Sequence, residues 1–149
     1  MRFLVADDHP VVRKGVCSML AAYEGLCIEA ADGQEAVEKC AEMKPDLIIL
    51  DITMPKLDGF SAARKIRNLL RETPILMLSM HDGTEITRVA RLVGAQGFLN
   101  KNEVGRVLVN AVDVLLAGGS YFPENRKAEA LKAASDAGIL SVNSGIGGI

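Results

Sequence analysis

The chain has 149 residues, of which 49% are apolar, 24% charged and 4% aromatic; 17 basic and 19 acidic side chains give a net charge of −2. That length suits one domain with its own core, and the composition excludes pervasive disorder, collagen-like repeats and a disulfide miniprotein. No apolar run approaches the roughly 18 residues of a membrane span, so no membrane partner is expected; with neither a basic stripe nor an aromatic platform, direct nucleic-acid binding is not expected either.

Five short apolar runs alternate with five amphipathic stretches. The first run, Phe3–Ala6, is followed by Pro10, which suits a first helical position, and by Val12, Val16 and Met19 on one helical face. Leu26–Ala30 is the second run, and Asp32 with Glu35 then has the spacing of a capping box. Leu47–Leu50 is uniformly apolar, as a strand covered on both faces should be, and stops at Asp51. The helix expected over about 60–70 presents Ala62, Ala63, Ile66, Leu69 and Leu70. After Ile75–Leu78, Asp82 and Glu85 resemble a second capping box ahead of the stripe Ile86, Val89, Ala90 and Val93, which Gly94 closes. Phe98–Leu99 is the last run; Val104, Val107, Leu108, Ala111 and Leu115 then form a stripe that Gly118-Gly119 ends. Alternation of this kind predicts right-handed crossovers and an open parallel α/β sheet with helices on both faces.

Ligands of such sheets bind outside the carboxyl ends of the strands. The residues just past each run are therefore informative: Asp7 and Asp8 after the first, Asp51 after the third, Ser79 after the fourth, Asn100 and Lys101 after the fifth. Singly, these residues are ordinary caps, turn residues and surface charges. Their common placement is not explained that way. Three carboxylates in one cleft repel, and a hard cation such as Mg²⁺ relieves the repulsion. Carboxylates, a cation and an ammonium together suit phosphoryl transfer, with one aspartate as nucleophile. Asp51, alone at the end of the most buried run, is the expected nucleophile, and Asp7 and Asp8 the metal pair.

On these residues the chain resembles the receiver domains of two-component response regulators over about 1–122. The resemblance rests on Ala6-Asp7-Asp8, on Leu50-Asp51-Ile52-Thr53-Met54-Pro55 with Asp58-Gly59, on Leu78-Ser79, and on Gly97-Phe98-Leu99-Asn100-Lys101. It implies a flavodoxin-like (βα)5 fold with strand order 2-1-3-4-5, and phosphorylation of Asp51 by a sensor histidine kinase. It further implies that Asp8, Asp51 and the Thr53 backbone carbonyl hold Mg²⁺, or Mn²⁺ in its place, with Asp7 acting through water. Lys101 would pair with the phosphoryl oxygens. Ser79 would swing towards the phosphoryl group and Phe98 would turn inward with it, changing the fourth-helix and fifth-strand face. Activity would be limited to the domain's own phosphorylation and dephosphorylation.

Asp7-Asp8-His9-Pro10-Val11-Val12-Arg13 and Leu78-Ser79-Met80-His81-Asp82 resemble the NarL/FixJ (LuxR-type) branch of transcriptional regulators. Met80 stands where most receivers have a small residue, which narrows access to the phosphoryl group; His81 is expected to tune how fast water reaches it. Asn102 replaces the proline that commonly follows the lysine. His9 is expected to cap a helix. A dehalogenase-like phosphatase would need an aspartate where Thr53 stands, and a nucleotide or flavin site would need a glycine-rich loop after the first run. An interaction-only pseudo-receiver fits poorly with an intact acidic, hydroxyl and lysine set.

Homodimerisation through the first and fifth helices, or through the fourth-helix face, fits the branch. Cys17, Cys27 and Cys40 are odd in number and without ligand spacing, so free thiols in a reducing cytoplasm are expected. Residues 123–149 are expected to form a tail or linker, helical over about 123–136 and unstructured beyond. That is too short for the helix-turn-helix output domain of LuxR-type regulators, so DNA would be met only through a domain absent from this chain. The receiver part of a longer regulator is preferred over a stand-alone receiver.

Overall fold

Apolar runs with polar stops become five strands: β1 (Arg2–Ala6), β2 (Leu26–Ala30), β3 (Leu47–Asp51), β4 (Ile75–Ser79) and β5 (Gly97–Asn100). This computed structural model describes residues 1–123 and Ser135, so the tail expected over 123–149 lies outside the described residues except at Pro123 and Ser135. The strands pair in parallel in the order β2-β1-β3-β4-β5, as expected for the flavodoxin-like fold. Between them run α1 (Pro10–Leu20), α2 (Gly33–Met43), α3 (Gly59–Leu69) and α4 (Thr84–Leu92), and a 3-10 turn (Lys101–Glu103) leads into α5 (Val104–Leu116).

Alternate side chains of a strand face opposite sides, so the sheet carries two cores. Leu4, Ile28, Ile48, Leu50, Met77 and Phe98 pack beneath α2, α3 and α4. Phe3, Val5, Ile49, Leu76, Leu78 and Leu99 pack beneath α1 and α5. β2, at the edge, is the least covered strand, and its Leu26 is exposed. Among the described residues no helix is long and apolar enough to cross a membrane.

Local signals mostly hold, with three corrections. Asp32 accepts from the Glu35 amide at 2.7 Å, and the Glu35 carboxylate takes the Ala31 amide at 2.9 Å, so this end of α2 is capped from both sides. Asp82 does not cap α4. The helix begins one residue later, behind Gly83 at φ 146°, and makes no side-chain cap bond. Leu69 is exposed, because α3 turns Ile66 and Ala62 to the sheet and the position three on from Ile66 falls at the rim. Cys17 and Cys27 are not free thiols: they form a disulfide between α1 and β2, leaving Cys40 buried and reduced. Ten residues apart in sequence, the two are brought to a Cα separation of 5.9 Å by the docking of α1 on the sheet.

Below the sheet, Arg67 ties three segments together. Its guanidinium donates to the carbonyls of Leu70 (2.8 Å) and Gly94 (2.7 Å) and to Gln96 Oε1 (2.9 Å), which also accepts the Ile75 amide at 2.9 Å. Arg67→Ala leaves these partly buried acceptors short of a charged donor and is expected to cost about 2–3 kcal/mol. Urea denaturation measures it, and a loss below about 0.5 kcal/mol, the range of an ordinary surface substitution, would show that solvent replaces the network.

Candidate functional site

Strand order reverses between β1 and β3, which leaves a crevice at their carboxyl ends. Asp7 follows β1 directly; Asp51 and Ser79 close β3 and β4; Lys101 opens the turn after β5. Lys101 folds back into the crevice, where its Nζ lies 3.0 Å from Asp7 Oδ2 and 3.0 Å from Asp51 Oδ2, with 7% of the side chain exposed. Taken singly Lys101 reads as a surface lysine, but its place after the fifth run puts it with the carboxylates, and the structure buries it between two of them.

Each of these groups is held by main-chain contacts. The Asp7 amide donates to the Ala30 carbonyl at 3.1 Å, and its Oδ1 accepts the His9 amide at 2.8 Å. The Asp7 carbonyl takes Arg13 Nη1 at 2.6 Å while Arg13 Nε pairs with Glu29 at 2.8 Å, so the loop after β1 is pinned to α1 and β2. Asp51 Oδ1 receives the Thr53 amide at 3.3 Å. Asn100 caps the turn that carries Lys101, accepting the Asn102 amide at 2.8 Å. Gly59 lets α3 start against the end of β3: a Cβ there would stand 2.1 Å from the Asp51 carbonyl oxygen and 2.7 Å from Ile52 Cα. The roles of Arg13 and Gly59 are not legible in their own sequence positions, since each depends on a contact with another element.

Burial raises the Asp51 carboxyl above its ordinary value; the adjacent Lys101 ammonium opposes this and the Asp7 charge reinforces it. Burial alone would pull Lys101 down, but its contacts with Asp7 and Asp51 outweigh that and hold it above the ordinary lysine range. One ammonium does not saturate three carboxylates. Asp7 Oδ2, Asp8 Oδ1 and Asp51 Oδ2 are buried without an aligned hydrogen bond, although Lys101 approaches two of them as an ion pair. Ligating atoms of Asp7, Asp8, His9 and Asp51 all lie within 4.8 Å of one another. Hard carboxylate oxygens at this spacing, with a single ammonium among them, fit a divalent cation.

His9 occupies the N-cap position of α1 but makes no side-chain cap. The ring instead turns to the acidic group, Nδ1 lying 3.3 Å from Asp7 Oδ1 and 3.2 Å from Asp8 Oδ1, a placement that corrects the expected capping role. Ser79 is buried and its Oγ accepts the His81 amide at 3.0 Å. Met80, next to Ser79, is 57% exposed, so its side chain is not buried in the crevice. Phe98 is fully buried in the core beneath α2, α3 and α4.

Comparison with known proteins identifies the family and the fold. The family described as Response regulator receiver domain matches residues 3–113. The chain is 39% identical over 124 residues to the oxygen regulatory protein NreC of Staphylococcus haemolyticus, covering 81% of this chain and 57% of that protein. A LuxR-family two-component response regulator from Aurantimonas sp. superposes with a TM-score of 0.77 at 32% identity, covering 89% of this chain and 97% of that one. The receiver domain of the histidine kinase CKI1 from Arabidopsis thaliana, solved with Mg²⁺ and BeF3⁻, gives a TM-score of 0.67 at 29% identity, over 75% of this chain and 87% of that one. The chain spans just under three fifths of the length of the curated relatives it matches, 57% in the case of NreC.

Proposed function

The chain belongs to the response regulator receiver domain family, with relatives among NarL/LuxR-type transcriptional regulators, and on that premise we propose that Asp51 accepts a phosphoryl group from a sensor histidine kinase and thereby switches the face formed by α4 and β5. Receiver domains are signalling switches rather than turnover enzymes. What supports the assignment of Asp51 is the bridge that Lys101 makes between Asp51 and Asp7 at 3.0 Å to each, with one ammonium shared among three closely placed carboxylates.

The Asp51 carboxylate oxygen attacks phosphorus as the bond to the kinase imidazole nitrogen breaks, and the pair of electrons leaves with that nitrogen. Mg²⁺, or Mn²⁺, would be held by Asp8, Asp51 and the Thr53 backbone carbonyl with Asp7 through water, and would neutralise charge on the transferred group. Lys101 is already within ion-pair reach of Asp51, so little motion brings its ammonium onto a new phosphoryl oxygen. A phosphoryl group adds about −2 of charge at one point. Shifting a two-state element from 1:99 to 99:1 takes about 5.5 kcal/mol, which two or three charge-assisted hydrogen bonds from Lys101, Ser79 and backbone amides can supply. Ser79 lies in register with Asn100 on β5, so its movement is coupled to the strand that carries Phe98. The surface expected to change is 84–99, with His81 and Met80 just after Ser79 setting how water and donors reach the acyl phosphate. In the longer regulator this switch would govern a DNA-binding output domain in the cytoplasm.

Acetyl phosphate with Mg²⁺ tests the reading. One alkali-labile adduct per chain is expected, trapped at Asp51 by borohydride and absent when the metal is chelated. Adduct formation elsewhere, or continuous turnover of phosphate esters, would rule it out. Mg²⁺ alone should raise the melting temperature, by about 2.7 kcal/mol of stability at a hundredfold excess over its dissociation constant.

A further inference from the structure

Cys17 lies in the second half of α1 and Cys27 near the start of the edge strand β2, and the bond between them closes the 17–27 segment into a loop. Both are partly exposed, whereas Cys40 is fully buried. The closed loop carries Tyr23. Its hydroxyl lies between the Val109 carbonyl, at 3.1 Å, and the Asp113 carboxylate, both on α5, and its ring meets Phe3 edge-on at 5.5 Å between centroids. Burial and the neighbouring Asp113 push the phenol up to about 12, so it remains a donor at any physiological pH. The cross-link therefore braces a loop that hydrogen-bonds α1's end of the domain to α5.

Small domains use disulfides where the core is insufficient. Here both faces of the sheet are covered by fully buried apolar layers, so the fold does not depend on the bond. We propose that Cys17 and Cys27 are a reversible thiol-oxidation site whose state sets the order of the 18–26 loop and, through Tyr23, of the surface formed by α1 and α5. The site lies at the amino end of β2, whereas Asp7 meets Ala30 at its carboxyl end, so the acidic crevice is not part of it.

The oxidant is a low-molecular-weight disulfide such as oxidised glutathione. One cysteine thiolate attacks a sulfur of the reagent and expels a thiolate. The other then attacks the protein sulfur of the mixed disulfide and expels the second. Two protein S–H bonds become one S–S bond, and the two electrons and two protons end on the two small thiols. Excess reduced thiol reverses each step.

The full chain should be equilibrated in buffers of varied reduced-to-oxidised glutathione ratio, alkylated and weighed. Cys17 and Cys27 are expected to lose and regain reactivity together, with Cys40 protected until the chain is denatured. Closing a loop of this length should raise the melting temperature of the oxidised form by about 10 °C. Amides of 18–26 and 109–113 should exchange faster in the reduced form by on the order of tenfold. The Cys17→Ser, Cys27→Ser double variant should behave as the reduced chain in either buffer, with adduct yield at Asp51 unchanged. A bond that resists millimolar reduced glutathione in the folded chain, one that never forms in the oxidised buffer, or identical exchange of the two forms in both segments would overturn the proposal.

Discussion

Asp51→Asn is expected to lower adduct formation by roughly 10⁴-fold or more while raising the melting temperature of the metal-free protein at pH 7. The first effect is loss of the nucleophile. The second arises from where the carboxylate sits. Burial, and then the Asp7 charge, lift the Asp51 carboxyl above its ordinary value despite Lys101. A carboxyl whose folded value is raised keeps its proton longer in the folded chain than in the unfolded one. Stability is therefore lost as pH climbs from the unfolded value, near 3.9, through the folded one, and the loss persists at neutral pH. Asparagine has no such loss, and Lys101 keeps Asp7 as its partner. The difference in melting temperature between variant and wild type, measured in chelator, should thus shrink as pH falls into that window. The variant should also gain less from Mg²⁺. An asparagine variant that melts below the wild type at pH 7 without metal would mean that the lysine pairing outweighs burial and repulsion.

This tension between stability and chemistry explains what the sequence made legible. A strand covered on both faces must be apolar, so the first polar residue after the run marks both the strand end and the crevice. Asp7, Asp51, Ser79 and Lys101 could be placed that way, and the strands fall within a residue or so of the apolar runs. Helix faces were readable for the same reason, since their periodicity is local. What escaped depends on contacts between segments. Gly59 looks like a loop glycine until the Asp51 carbonyl is seen where its Cβ would be. Asp82 and Glu85 have cap spacing, but Gly83, at positive φ, takes the turn and leaves Asp82 outside α4. His9 has the position of a cap but faces carboxylates that only the folded loop brings to it. Cys17 and Cys27 pair because α1 crosses β2, and no spacing rule encodes that crossing.

Lys101→Met should be the most destabilising change in the crevice. Its Nζ stands 3.0 Å from both Asp7 and Asp51, and all three side chains are almost fully buried. Removing one partner of a buried ion pair typically costs about 3–5 kcal/mol, because the remaining charge keeps its desolvation penalty without compensation. Here two carboxylates are left facing each other, and a fall in melting temperature of about 10 °C or more is expected in metal-free buffer. The contribution of the lysine itself is constant at neutral pH. Its folded value is raised, so that stability is fully present below the unfolded value, about 10.4, and is lost only as pH rises through the folded one. The variant should behave differently, becoming more stable relative to wild type as acid protonates the Asp51 carboxyl, which burial already raises. It should also respond more strongly to Mg²⁺, since the cation would meet two unpaired oxygens that the ammonium had shared. Adduct formation should still fall by about a hundredfold with Mg²⁺ present, because the fixed donor for the phosphoryl oxygens is gone. Lys101→Arg separates the two roles: charge is retained and stability largely recovers, but the planar fork does not replace a compact ammonium between two carboxylates, and adduct formation stays low. A methionine variant as stable as wild type in chelator at pH 7 would show that Lys101 is not what holds the crevice together.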